Sequence, residues 1–198
     1  LLEAPDRDTW LGARDHALLL VALETGLRVS ELVGLTRGDV HLGRGAHVRC
    51  IGKGRKERCT PLRSQSVVVV RAWLERHDAD ATSPLFPSRR GTSLSRDAVE
   101  RLVSKYATKA ADHCQTLRGK VVSPHVLRHT SAMQLLQAHV DRSVIALWLG
   151  HESVETTQMY LHSDLSIKER ALASTAPPRV GARRFRPPDA LLAFLEGL

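Results

Sequence analysis

Residues 13–26 read ARDHALLLVALETG, and this stretch decides how the rest of the chain must be arranged. It is too apolar for a surface helix, so it predicts a buried helix that the other elements surround. The helix should end at Gly26, because glycine readily adopts the left-handed conformation that closes many helices. A second helix is predicted directly afterwards in RVSELVGL, residues 28–35.

Two short β-prone runs follow, HVRCIG at residues 47–52 and ERCTPL at residues 57–62. The KGRK between them is short and polar, which predicts a β-hairpin. The tip of this hairpin is strongly basic because it carries Lys53, Arg55 and Lys56.

Polar capping residues predict the remaining helices. Ser64 is expected to cap a helix that runs through VVVVRAWLERH, and Ser95 a helix that ends near Asp112. The four valines would also suit a strand, but the amphipathic pattern after them favours a helix. Between the two helices, residues 78–95 form a loop rich in Pro, Ser and Gly.

The last part of the predicted domain contains three more helices. One has Ser123 as its N-cap and Pro124 at its first position. The next is capped by Asp141 and ended by Gly150, and the third begins at Ser153. We therefore expect an α+β fold that is mainly α-helical, with a small antiparallel sheet or hairpin.

The charge of the chain favours a polyanionic partner. Its 198 residues include 29 Lys and Arg against 21 Asp and Glu, a net charge of +8, and nucleic acid is the leading candidate.

The three cysteines are odd in number and widely spaced, at Cys50, Cys59 and Cys114, which argues against a disulfide framework and a zinc ribbon. The sequence shows no transmembrane run or signal peptide, so we expect a cytoplasmic protein. It begins with Leu, so we expect a fragment.

Several polar residues could together bind a phosphate. His125 and Arg128 are three residues apart, so they leave one face of the predicted helix, near its anion-favouring N-terminus. Arg28 stands at the start of another helix, and two converging arginines can hold the oxygens of a phosphodiester. Taken alone, HVLRH would equally suit a solvated helix face.

Two further residues, near the end of the domain, extend this set. His151 follows the predicted stop at Gly150 and should project from a turn toward whatever Tyr160 faces. Tyr160 is one of two tyrosines in the chain. Taken alone, Tyr160 would be a packed residue and His151 a helix-end residue, whereas the combination indicates a tyrosine that reacts.

In order and separation, TGLRVSEL, GKGRKER, HVLRH and LGHESVETTQMYLH resemble the catalytic domain of the tyrosine recombinase (phage integrase) family. The match runs from about Trp10 to about Ala173. The last motif resembles transposon and insertion-element recombinases more than recombinases that resolve chromosome dimers. The resemblance implies the DNA breaking-rejoining enzyme fold. The family normally carries an N-terminal core-binding domain as well. We expect that domain to be absent from these 198 residues, and we therefore expect weak DNA binding by the isolated domain.

The resemblance implies a site-specific recombinase or integrase whose catalytic residues are Arg28, Lys53, His125, Arg128, His151 and Tyr160. Tyr160 would attack the scissile phosphate, leaving a 3′-phosphotyrosyl link and a free 5′-hydroxyl. The arginine pair would stabilise the phosphorane, His125 is a candidate base, Lys53 would protonate the leaving oxygen, and His151 would hydrogen-bond a non-bridging oxygen. No metal or nucleotide cofactor is implied.

The expected partner is double-stranded DNA, with a free monomer that assembles into a synaptic tetramer on DNA. Basic residues of the hairpin and of the linker before His125 are predicted DNA contacts, namely Arg55, Lys56, Arg58, Arg118 and Lys120.

Three other functions compete with this interpretation. A zinc site could use His125 and His129 with His151 or His162, but Arg128 on the same helix would repel the cation. A DNA-binding protein without catalysis would suit the charge equally well. A type IB topoisomerase would share the chemistry and a similar fold.

The chain divides into two predicted regions. Residues 1–174 should form the catalytic domain, and residues 175–198 a Pro- and Arg-rich linker followed by a short helical segment, DALLAFLEGL. This arm could fold back, lie disordered or dock on a neighbouring subunit.

Overall fold

The computed structural model describes residues 1–52 and 56–150, together with residues 169, 172 and 173. The α-helices in these ranges are α1 (Trp10–Thr25), α2 (Val29–Gly34), α3 (Ser64–Arg76), α4 (Arg96–Ala111), α5 (Pro124–Gln137) and α6 (Arg142–Leu149). The strands are β1 (Val40–His41), β2 (His47–Ile51) and β3 (Glu57–Pro61). The expected mainly α-helical α+β class is confirmed. Within the described ranges, each helix is too short or too polar to cross a membrane.

Helix α1 lies in the main hydrophobic core, as its apolar sequence predicted, and packs against α3 and α5. It begins at Trp10, earlier than predicted, because Thr9 Oγ1 accepts the N–H of Gly12 at 3.0 Å and so caps the first turn. The helix ends at Gly26, whose φ of 62° confirms the predicted left-handed cap. Helix α2 therefore starts close to the C-terminal end of α1.

The three strands form an antiparallel sheet in the order β1-β2-β3. The predicted hairpin is confirmed, with Cys50 of β2 opposite Arg58 of β3. Its last pair of strand residues is followed by a hydrogen bond from the Gly52 N–H to the Lys56 carbonyl at 2.9 Å. Strand β1 was not predicted, because two residues are too few to show a strand alternation.

The start of α3 differs from the prediction. Ser64 is the first helical residue rather than the cap, and Arg63 occupies the N-cap position. The carboxylate of Glu24, on α1, accepts the N–H of Arg63 and the hydroxyl of Ser66. Glu24, on another helix, thus accepts the hydrogen bonds at the start of α3. Because this partner is distant in the sequence, no local signal marks the start of the helix.

The predicted caps of α4, α5 and α6 are confirmed. Ser95 and Ser123 each accept a backbone N–H in the first turn, at 3.1 and 3.4 Å, and Asp141 does the same at 2.8 Å. Helices α5 and α6 pack together around a second small core, formed by Ala132, Leu135, Ile145, Trp148, Leu149 and Leu172. The helix predicted from Ser153 and the arm at 175–198 lie outside the described residues.

Candidate active site

Arg128, on α5, connects the C-terminal ends of two other helices. Its Nη1 donates to the Gly26 carbonyl at 2.6 Å, and its Nη2 donates to the Leu149 carbonyl at 2.9 Å. These carbonyls close α1 and α6, where the helix dipoles are negative and favour a cation. The guanidinium of Arg128 is thus held in place by the fold itself.

Arg28 lies next to this position and is the more open of the two arginines, with a side chain that is 34% exposed. Its Nη1 donates to the Gly150 carbonyl at 3.4 Å and to Glu31 Oε1 at 3.3 Å. Its backbone N–H donates to Glu31 Oε2 at 2.7 Å. The structure therefore brings together the two arginines that the sequence singled out.

Glu31 was part of the TGLRVSEL motif, but the sequence interpretation gave it no role. The structure buries Glu31 at 7% exposure and makes it the carboxylate partner of Arg28. A signal for this was available, because a glutamate three residues after a helix N-cap has the spacing of a capping box.

Arg58 was predicted to contact DNA, and the structure does not place it on an exposed surface. It is 6% exposed, and its Nη1 and Nη2 donate to the two oxygens of Glu31 at 2.8 and 2.7 Å. On β3 it alternates with the exposed Glu57 and the half-buried Cys59, so the strand period turns it inward. The prediction was wrong because it rested on the basic charge of the hairpin and did not include this alternation.

Arg28, Glu31, Arg58 and Arg128 are called the arginine cluster below. Burial lowers the pKa of Arg128 to about 10, and the positive charges of Arg28 and Arg58 add to this effect. Burial favours a raised pKa for Glu31, but hydrogen bonds and charge from Arg58 and Arg28 outweigh it and hold the pKa below its usual value. The described cluster thus has three cations and one anion at neutral pH, which suits it to bind a phosphate.

Two glycines allow the backbone to approach the arginine cluster. A Cβ atom on Gly150 would lie 2.8 Å from Arg58 Nη1, and a Cβ atom on Gly52 would lie 3.1 Å from the same nitrogen. Gly150 also has a φ of 71°, which favours glycine. Gly52 directly precedes Lys53, and Gly150 directly precedes His151.

His125 is exposed in the first turn of α5, and its Nε2 lies 2.5 Å from Nε2 of His129. Burial, followed by the charges of His125 and Arg128, lowers the pKa of His129. A neutral His129 can share a proton with His125, so the two rings form a hydrogen-bonded pair. In the part of the chain that the structure describes, no three His, Cys, Asp or Glu side chains are grouped to hold a metal ion.

Lys56, Arg118 and Lys120 are exposed, as their predicted DNA contacts require. Arg118 lies in the linker between α4 and α5, and its Nε donates to the Ala111 carbonyl at 3.2 Å. The other predicted site residues, Lys53, Arg55, His151 and Tyr160, lie outside the described residues, so their roles remain predictions.

The other tyrosine of the chain, Tyr106, is buried and hydrogen-bonded within the protein. It is 5% exposed, and its hydroxyl donates to Asp15 Oδ2 at 2.8 Å. Arg14 donates to the other oxygen of Asp15, Oδ1, through Nε at 2.8 Å and Nη2 at 2.6 Å, and through Nη1 to the Pro87 carbonyl at 2.8 Å. Burial first, and then the hydrogen bond to Asp15, raise the pKa of Tyr106 well above its ordinary value.

The mainly helical fold with its small sheet has counterparts among solved structures. The structure of the XerH site-specific recombinase bound to a palindromic difH substrate matches with a TM-score of 0.65 and 25% identity. The match covers 87% of this chain and 48% of that one. The fold is therefore that of a tyrosine recombinase catalytic domain.

Sequence comparisons give the family. Residues 1–166 match the phage integrase family, and the chain belongs to it. It is 57% identical over 198 residues to y4rC of Sinorhizobium fredii, described as an integrase/recombinase, covering 100% of this chain and 60% of that protein. The tyrosine recombinase XerC of Pelobacter propionicus is 40% identical over 166 residues, 83% of this chain and 53% of that protein. The predicted family is confirmed, and the chain spans between half and two thirds of these relatives.

Proposed function

We propose that this chain is the catalytic part of a site-specific DNA recombinase or integrase that works through a 3′-phosphotyrosyl intermediate. The observation that carries the proposal is that Arg28 and Arg128 lie together at one place, both hydrogen-bonded to carbonyls at the C-terminal end of α6. Membership of the phage integrase family and relatives named tyrosine recombinases support the same reaction.

In the proposed reaction, the hydroxyl oxygen of Tyr160 attacks the scissile phosphorus. A bond forms between this oxygen and phosphorus, and the bond from phosphorus to the 5′ oxygen breaks. His125 accepts the phenolic proton, and Lys53 donates a proton to the leaving oxygen. Arg28 and Arg128 stabilise the additional negative charge on the pentacoordinate phosphate. Attack by the 5′-hydroxyl of a second strand reverses these steps and rejoins DNA without a nucleotide or metal cofactor.

The positions of Gly52 and Gly150 support roles for Lys53 and His151. Both glycines lie against the arginine cluster, and Lys53 and His151 are the next residues in the sequence. His151 is proposed to donate a hydrogen bond to a non-bridging phosphate oxygen.

The environment of Tyr106 supports Tyr160 as the nucleophile. The chain has two tyrosines, and the phenol of Tyr106 is buried, hydrogen-bonded to Asp15 and held protonated by a raised pKa. A phenol must lose its proton to attack phosphorus, so Tyr106 is unsuited to the reaction.

Double-stranded DNA is the proposed partner, and a tetramer on DNA is the proposed synaptic form. The net charge of +8 and the exposed Lys56, Arg118 and Lys120 support contact with phosphates. The chain is proposed to be a cytoplasmic protein, and its closer likeness to transposon-type recombinases stays a prediction.

A covalent trapping experiment tests the proposal. End-labelled nicked duplexes from the flanks of the gene are incubated with the complete product of the reading frame, as wild type, Tyr160→Phe or Tyr106→Phe. We expect labelled DNA to remain attached to wild type and to Tyr106→Phe in denaturing gels, but not to Tyr160→Phe.

Other outcomes favour the competing functions. Salt-sensitive binding without any covalent product would contradict the proposal and favour a DNA-binding protein that does not cleave. Relaxation of supercoiled plasmid by the free monomer, without paired sites, would favour a topoisomerase.

A further inference from the structure

Arg58 is a buried cation at the centre of the arginine cluster. Its side chain is 7% exposed and holds Glu31 by two parallel hydrogen bonds, from Nη1 at 2.8 Å and from Nη2 at 2.7 Å. Such a bidentate pair fixes both the position and the plane of the carboxylate. Arg58 therefore determines where Glu31 lies.

Glu31 in turn holds Arg28 in two places. One oxygen accepts the backbone N–H of Arg28 at 2.7 Å, and the other accepts Nη1 of its side chain at 3.3 Å. The side chain of Arg28 is partly exposed, so it needs such partners to keep one orientation. A chain of contacts thus runs from buried Arg58 through Glu31 to the more open arginine.

Arg58 also lies where two backbone segments meet. Its guanidinium fills the space beside Gly52, at the base of the hairpin, and beside Gly150, at the end of α6. A Cβ atom at either glycine would come within 3.1 Å of Arg58 Nη1. The same side chain therefore lies between the base of the hairpin and the C-terminal end of α6.

The charge of Arg58 is not explained by packing alone. A buried ion pair can often be replaced by apolar side chains of similar volume without loss of stability. The positive charge of Arg58 also opposes the protonated form of Arg128, whose pKa is lowered by burial and by its cationic neighbours. What the ion pair supplies is a fixed carboxylate beside Arg28.

We propose that Arg58 is a positioning residue for DNA strand cleavage, acting through Glu31 to hold Arg28 in the orientation that binds the scissile phosphate. This inference rests on the proposed recombinase function. It replaces the expectation that Arg58 contacts DNA directly, and it assigns the direct phosphate contact to Arg28 and Arg128.

The test compares wild type, Arg58→Met, Arg58→Lys and the double variant Arg58→Met/Glu31→Gln on the nicked duplex. Three quantities are measured: the rate of covalent complex formation at saturating protein, the Kd with its salt dependence, and the melting temperature. The double variant removes both charges together, so it keeps the test decisive if Arg58→Met alone, with an unpaired buried Glu31, fails to fold.

We expect the cleavage rate of Arg58→Met and of the double variant to fall about 10- to 100-fold, the scale of losing one oriented charge contact. The Kd should stay within about twofold and its salt slope should not change, because no phosphate contact is removed. Arg58→Lys should recover part of the rate, since it restores the charge but not the two parallel hydrogen bonds.

Four results would overturn the inference. A salt slope reduced by about one unit, with the saturated rate preserved, would show that Arg58 contacts a phosphate itself. A lower melting temperature with rate and Kd preserved would show a purely structural role. If wild type forms no covalent complex, both the proposed function and this inference are wrong. If covalent complex formation is lost in Tyr160→Phe while the Arg58 variants keep the full rate, the inference alone is wrong.

Discussion

The arginine cluster and the group formed by Arg14, Asp15 and Tyr106, called here the tyrosine cluster, differ in charge balance. In the tyrosine cluster one guanidinium pairs with one carboxylate, and a phenol donates to the remaining oxygen. In the arginine cluster the described residues place three guanidinium groups around one carboxylate.

This difference separates a structural polar group from a binding site. Buried polar groups are stable when they satisfy each other, and the tyrosine cluster does so within the protein. Among the described residues, the arginine cluster has three guanidinium groups and one carboxylate, and the side chain of Arg28 in it is 34% exposed. An anionic ligand could therefore reach the arginine cluster, whereas the tyrosine cluster is buried and satisfied within the protein.

Matched arginine substitutions should separate the two clusters most strongly. Arg128→Lys keeps the charge but loses the fork that reaches both Gly26 and Leu149, and we expect strand cleavage to fall about 100- to 1000-fold. Arg14→Lys should lower the melting temperature and leave the cleavage rate of the folded protein within about twofold. Single-turnover cleavage and thermal unfolding check both. Equal losses of cleavage in the two variants would contradict the assignment of the arginine cluster, and not the tyrosine cluster, to phosphate binding.

Matched glycine substitutions test the close approach to Arg58. Gly150→Ala adds a Cβ atom 2.8 Å from Arg58 Nη1 in a left-handed residue, and we expect about a tenfold loss of cleavage. Gly91 has a φ of 80° and no atom within 4 Å of an added Cβ, so Gly91→Ala should cost only the backbone strain, about 1–2 kcal/mol. Cleavage assays and urea unfolding measure the two effects. An unchanged cleavage rate in Gly150→Ala would show that the close contact between Gly150 and Arg58 is not needed for cleavage.

Tyr106→Phe should affect stability and not chemistry. The substitution removes the hydrogen bond to Asp15, and we expect the free energy of unfolding to fall by about 1–2 kcal/mol. Covalent complex formation should stay within about twofold, because Asp15 keeps its pairing with Arg14. Urea denaturation beside the trapping assay checks the prediction. Loss of the covalent complex in a variant of normal stability would indicate that Tyr106, and not Tyr160, is the reactive tyrosine.

Acid sensitivity gives the smallest expected effect. The folded-state pKa of Glu31 lies below its unfolded value near 4.5, so its contribution to stability is present above that pH and is lost as the pH falls through the folded pKa. Wild type should therefore lose stability on acidification below about pH 4.5 more steeply than Glu31→Gln. Glu57→Gln, which removes an exposed carboxylate on β3, serves as the control. Identical slopes for wild type and Glu31→Gln would contradict the ion pair with Arg58.

Local signals in the sequence predicted much of this fold. Gly26 and Gly150 as helix ends, and Ser95, Ser123 and Asp141 as caps, act on neighbouring residues, so their effect is visible in a short window. The hairpin was predicted in the same way from two β-prone runs and a polar turn. Arg28 was singled out because it stands at the start of a helix, just after the helix end at Gly26.

Long-range contacts could not be predicted. Glu24 satisfies the start of α3 from another helix, which made Ser64 the wrong cap. Arg58 and Glu31 lie on different elements, and only the folded sheet and helix bring them together. The sequence shows which residues carry charge, whereas the fold decides which of those charges face a ligand and which face each other.

The most direct test of the account is to map the residue that becomes attached to DNA. The covalent complex formed on a nicked duplex is digested with protease and nuclease, and the modified peptide is identified by mass spectrometry. We expect a nucleotide adduct on Tyr160, linked through the 3′-phosphate, with Tyr106 unmodified. An adduct on Tyr106 or on another side chain, or a link through the 5′-phosphate, would contradict it.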